Sequence, residues 1–113
     1  MSKIIAAVND LFFASKIAET AKHSNIEVAF VKNQLDLFDY LSKETELIIF
    51  DLSNKDLDLN IIKQIRSNKS LSKVSIVGFI PHVNAELKDK ALEIGFDKVY
   101  ARSEFSKKLD EII

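Results

Sequence analysis

A single α/β domain built on a parallel sheet is predicted by three features of this chain. Short β-branched apolar runs alternate five times with stretches of helical apolar spacing. Two of those runs, Ile4-Ile5-Ala6-Ala7-Val8 and Leu47-Ile48-Ile49-Phe50, are almost continuously apolar, as strands covered on both faces are. The 113 residues include only two Gly and one Pro, so there is one domain's length of chain and no linker composition, repeat or low-complexity tract.

The strands are expected at Lys3–Val8, Ile26–Phe30, Leu47–Phe50, Val74–Ile80 and Lys98–Ala101. Ile26-Glu27-Val28-Ala29-Phe30 alternates in polarity and suits a place nearer an edge. A first helix is expected over Leu11 to His23, where Phe13, Ile17, Ala18 and Ala21 share a face. Leu35, Leu37, Phe38 and Leu41 mark a second helix. Ile61, Ile62 and Ile65 mark a third, with Asn60 as its N-cap. Leu87, Ala91, Leu92 and Ile94 mark a fourth, capped by Asn84 and ended by Gly95. Phe105, Leu109 and Ile112 mark a fifth, with Ser103 as N-cap. All eight Phe residues fall at positions that read as core packing.

An order of βαβαβαβαβα implies a parallel sheet with helices on both faces, a three-layer sandwich. Right-handed crossovers leave few arrangements, and the common one at this size is the flavodoxin-like order 2-1-3-4-5. Ligands of such sheets bind at the carboxyl ends of the strands, where the strand order reverses.

Composition removes several classes of function. Hydrophobic residues make up 47% and charged residues 29%, a globular balance. Sixteen basic and seventeen acidic residues leave a net charge of −1, with no electrostatic footprint for nucleic acid. The absence of cysteine excludes disulfides, thiolate chemistry and zinc–thiolate sites. The apolar start is halted by Asn9-Asp10, too early for a membrane span or a secretory signal, so a cytoplasmic protein is expected.

The strand ends hold the candidate chemistry. Strand 1 runs into Asn9-Asp10, strand 3 into Asp51, strand 4 into Pro81-His82, and strand 5 into Arg102. Neighbouring strands 1 and 3 bring Asp10 and Asp51 to one crevice, where two carboxylates repel unless a proton or a cation offsets them. Mg²⁺ suits such a pair because it keeps several waters and needs few protein oxygens. Asp51 is then a carboxylate nucleophile able to form an acyl phosphate. Arg102 can bind a carboxylate or a phosphate with two parallel hydrogen bonds. The plainer readings are that each Asp caps the following helix or turn, and that Arg102 and His82 are solvated. His23 suits the end of the first helix and carries no site role.

These residues make the whole chain resemble a bacterial response-regulator receiver domain of the CheY-like kind, in an atypical stand-alone form. Asn9-Asp10 matches the family's acidic pair, with one member an amide. Asp51, in Phe50-Asp51-Leu52, matches the phospho-acceptor. Asp58 falls near the family's acidic-Gly turn, with Leu59 where Gly is usual. The hydroxyl position falls at Ile80 or Pro81, and Pro81 stands in place of Thr or Ser. Arg102 stands in place of the family's Lys. The aromatic switch position falls at Val99, with Tyr100 one residue away.

The resemblance implies a signal-transduction module of a phosphorelay. A histidine kinase or phosphotransfer protein would phosphorylate Asp51, with Mg²⁺ held by Asp10, Asp51 and Asn9. Output would be contact with a downstream protein through the fourth helix, fifth strand and fifth helix. The departures at Pro81 and Arg102 keep a second expectation open, a pseudo-receiver docking module without phosphorylation. A small flavin- or nucleotide-binding protein is the third, disfavoured because Gly78 and Gly95 form no phosphate loop.

Overall fold

Every side chain from Ile4 to Ala7 and from Leu47 to Asp51 is buried, which only a sheet covered on both faces permits. The computed structural model describes residues 3–53, 58–81 and 84–113. Its strands are β1 (Ile4–Ala7), β2 (Val28–Phe30), β3 (Leu47–Asp51), β4 (Ser75–Ile80) and β5 (Lys98–Ala101). All are parallel, in the expected order β2-β1-β3-β4-β5. The register opposes Ala7 to Phe50 and Asp51 to Phe79, so β1 and β3 leave the sheet at the same edge.

The helices are α1 (Leu11–His23), α2 (Gln34–Tyr40), α3 (Asn60–Ser67), α4 (Ala85–Ile94) and α5 (Arg102–Ile112). Alternation along the strands divides the core in two. Ile5, Ile48, Phe50, Ile76 and Val99 face α2, α3 and α4, where they meet Leu37, Ile62, Ile65 and Ala91. Ile4, Ile49, Val77, Phe79 and Tyr100 face α1 and α5, where they meet Phe13, Ile17, Phe105 and Leu109. Val99 and Tyr100 thus lie in opposite layers, and the expected switch position holds a core valine.

Several local expectations give way. Asn60 is the first residue of α3 and not its cap; the side chain of Asp58 accepts the Asn60 N–H at 2.9 Å instead. Leu59, where the family places Gly, has φ −64° and ψ −13°, a right-handed conformation that needs no Gly. Ser103 is likewise inside α5, which starts at Arg102 with no side-chain cap. Asn84 does cap α4, accepting from Leu87 N–H at 3.1 Å, and Gly95 ends that helix at φ +138°.

Five Phe residues are core, but Phe12, Phe30 and Phe38 are exposed. In the seven-residue α2 only Leu37 is buried among the described side chains, with the partly buried C-cap Leu41 four residues on, which turns Leu35 and Phe38 outward.

The amino edge of the sheet is tied by Arg66, on the last turn of α3. Its guanidinium donates to the carbonyls of Gly95 (3.0 and 2.9 Å), Ser72 (2.9 Å) and Val74 (2.6 Å), and to Asp97 at 2.8 Å. The same Asp97 oxygen accepts the Ile76 N–H at 2.7 Å. One side chain therefore joins α3, the end of α4 and the starts of β4 and β5.

Candidate functional site

At the carboxyl edge the chain leaves β1, β3, β4 and β5 close to a polar or conformationally restricted residue: Asp10, Asp51, Pro81 and Arg102. Asp10 sits between β1 and α1 as the helix N-cap. Its Oδ1 accepts from the N–H groups of Phe12 (2.9 Å) and Phe13 (3.3 Å). The plain capping role is therefore real. The other oxygen, Oδ2, receives Nη2 of Arg102 in an ion pair. Arg102 opens α5 directly after β5, so the pair spans the switch point from the first strand to the last. Its guanidinium also lies 4.7 Å from the centre of the Phe13 ring, a cation–π contact.

That ring is held rigidly. Phe13 packs at 4.8 Å from Phe79 and 5.8 Å from Phe105, and Phe79 stacks on Phe105 at 4.6 Å. An open cleft of about 580 Å³ lies against this stack, with Phe12, Phe13, Pro81, Arg102, Ser103 and Ser106 in its wall. Lys16, from α1, donates to Ser106 and lies 5.8 Å from the Phe12 ring centre, closing the far side of the same rim.

Asp51 ends β3 and is only 5% exposed, the one buried carboxylate among the described residues. Burying a carboxylate is unfavourable unless hydrogen bonds replace its water. Ser53 supplies two of them, both to Oδ1, from its N–H at 3.0 Å and its hydroxyl at 2.6 Å. Ser53 escaped the sequence reading, although Asp followed by Ser two residues on is the spacing of a side-chain-closed turn. The hydroxyl beside the Asp51 carboxylate thus comes from the chain after β3. At the end of β4, Ile80 is buried in the core and Pro81 lines the cleft; neither side chain offers a donor, and Pro81 lacks an N–H as well.

The structure therefore joins Asp10 with Arg102, and sets Arg102 with Pro81 in one cleft wall. Asp51 lies on the neighbouring strand with Ser53 as its partner, and Asn9 is exposed beside Asp10. His82 lies outside the described residues. The donor set at this edge, two carboxylates and an amide, has the hard-oxygen chemistry of a Mg²⁺ site. Among the described residues no group of three or more His, Asp or Glu side chains converges, so such an ion would rest on one or two carboxylates and water.

No protein-family model matches the chain, and no curated protein matches it. Solved structures do. A response regulator from Hahella chejuensis superposes with a TM-score of 0.85 at 16% identity, covering 99% of this chain and 92% of that one. A signal receiver domain from Bermanella marisrubri gives 0.77 at 23% identity, covering 99% and 98%. The phosphorylated cyanobacterial phytochrome response regulator RcpA gives 0.77 at 20% identity, covering 98% and 87%. The expected five-unit α/β architecture is thus the receiver fold along nearly the full chain. Among the described residues no helix is long and apolar enough to cross a membrane.

Proposed function

We infer that this chain, which has the receiver fold, works as a phosphorelay receiver in the cytoplasm, with Asp51 as the phosphoryl acceptor. The observation that carries this is Asp51 itself: a carboxylate buried at the carboxyl end of a central strand, beside the switch point, held in one rotamer by Ser53.

The donor would be a phosphohistidine of a kinase or phosphotransfer protein. A carboxylate oxygen of Asp51 attacks phosphorus, the P–N bond to the imidazole breaks as the P–O bond forms, and the released imidazole nitrogen takes a proton from solvent. Asn9, Asp10 and Asp51 fit Mg²⁺, which when bound supplies positive charge against the phosphoryl oxygens. Ser53 fixes the angle of the attacking carboxylate. Arg102 brings a forked cation to the rim of the same edge, in place of a lysine. Output runs through protein contact, with α4, β5 and α5 as the face. Lys88, Lys98 and Lys108 line its groove with Asp97 and Glu104, a mixed-charge surface suited to a polar partner.

The test is intact-mass spectrometry after incubation with Mg²⁺ and a small acyl phosphate. One phosphoryl group should appear on the chain, and Asp51→Asn should remove it. An unmodified wild-type chain, or an adduct that survives Asp51→Asn, overturns the assignment.

A further inference from the structure

The sheet ends in two open strands, β2 and β5, and they are finished differently. The groove beside β5 is lined by Lys88, Asp97, Lys98, Glu104 and Lys108, charged side chains of the kind that keep an edge strand from pairing with another chain. The strand β2, Val28–Phe30, carries no charge. Beside it lies an open groove of about 440 Å³, walled by Ala18, Ala21 and Lys22 of α1 and by Ile26, Val28 and Phe30. Ala18 and Ala21 are one turn apart on α1, and their small side chains leave that groove unfilled.

The backbone sets how another strand could join. Ile4 N–H donates to the Glu27 carbonyl at 3.4 Å and Val31 N–H to the Ala6 carbonyl at 3.0 Å, in a register that opposes Ile4 to Val28 and Ala6 to Phe30. Glu27, Ala29 and Val31 therefore turn their backbone groups to β1, and Val28 and Phe30 turn theirs to the open side. An antiparallel copy of the same strand satisfies those groups when Val28 lies opposite the second copy's Phe30 and Ala29 lies on the two-fold axis. Directly opposed side chains share a face of the sheet, so each Phe30 ring arrives beside Val28, at the groove of the other copy. An aromatic ring against a β-branched residue is a favourable cross-strand pair. Knob and hole are two residues apart on one strand, so an identical strand engages both at once.

The exposed apolar surface is of matching extent. Phe30, Leu35, Phe38 and Tyr40 lie between positions 30 and 40 and are from 42% to 76% exposed. The helix α2 that carries the last three packs over β1, next to this edge. At about 200 Å² for a large side chain, they leave roughly 400 Å² of apolar surface per chain. With the strand backbone, two copies bury on the order of 1,000 Å², the lower limit for a specific interface. We propose that two copies of this chain associate reversibly through β2, joining their sheets antiparallel about Ala29, with each Phe30 seated in the other copy's groove between α1 and β2. The association uses the fold alone, is independent of Asp51, and leaves α4, β5 and α5 uncovered.

Sedimentation equilibrium of the chain over a wide concentration range, without Mg²⁺ or phosphodonor, tests this. The wild-type chain should pass from monomer to dimer. Phe30→Lys removes the knob and Ala18→Glu fills the groove; both positions are exposed, so the core is left intact. Each should weaken the dimer at least about tenfold. Leu92→Lys, at an exposed position of α4, should leave it unchanged. Amide exchange reads the register: in concentrated protein the Val28 and Phe30 N–H groups should exchange at least about tenfold more slowly than in dilute protein. Three results overturn the proposal: a chain monomeric at every concentration, which would leave the edge to a strand of another protein; a dimer that survives Phe30→Lys and Ala18→Glu; or a dimer in which Val28 and Phe30 exchange as fast as in the monomer.

Discussion

The two edges of this sheet are each pinned by an arginine and an aspartate, and the pairs are built differently. At the amino edge, Arg66 donates to three backbone carbonyls and to Asp97, which itself holds a strand N–H. At the carboxyl edge, Arg102 reaches one carboxylate and one aromatic face, beside an open cleft. A guanidinium carries five donors. Where the fold consumes them, the residue is a staple. Where, among the described residues, the fold leaves most of them unspent at a cleft, the residue is available to a ligand. Both are arginines with an aspartate partner, so pair geometry alone does not separate structure from function; the count of satisfied donors does.

This contrast sets an order of effects. Arg66→Met should be the most damaging change, because it leaves the part-buried carbonyls of Gly95 and Val74 without their side-chain donors. We expect a loss of about 3 kcal/mol or more in urea denaturation, with no change in Mg²⁺ affinity of the folded fraction. Gly78→Ala comes next. A Cβ there would lie 2.9 Å from both Leu52 Cδ1 and Phe96 Cε2, inside the layer where Phe96 packs on Phe50. Overpacking of that kind costs about 1–3 kcal/mol, read from the same denaturation curves. Asp10→Ala removes an N-cap and should cost about 1 kcal/mol. Arg102→Met should cost less than about 1 kcal/mol, since its pair is partly exposed. A large loss on Arg102→Met, or a small one on Arg66→Met, would break the distinction between the two edges.

The sequence made one edge far more legible than the other. Topology follows from the apolar runs, because a strand hydrophobic at every position has to be covered on both sides. The switch-point rule then leads to Asp10, Asp51 and Arg102, since it asks only which residues end the strands. Arg66 and Asp97 had no such rule. They stand 31 positions apart, each looks like an ordinary surface charge, and only the folded chain brings them together. Caps were readable where a polar residue directly precedes the apolar pattern, as at Asn84. They were misplaced by a residue or two where a helix begins early, as at Asn60 and Ser103. The exposed Phe12, Phe30 and Phe38 show the limit of hydrophobicity as a guide: Phe38 on a short helix and Phe30 on an edge strand have too little neighbouring surface to cover them, and Phe12 lies beside the buried Phe13 on the open side of the first turn of α1.

Ligand chemistry should be confined to the carboxyl edge. Backbone amide resonances recorded with Mg²⁺ and beryllium fluoride, an acyl-phosphate mimic, measure this residue by residue. The largest shifts should fall on Asp10, Asp51, Ser53 and Arg102, with Arg66, Gly95 and Asp97 unmoved. A spectrum that does not change, or one that changes first around Arg66 and Asp97, would contradict it.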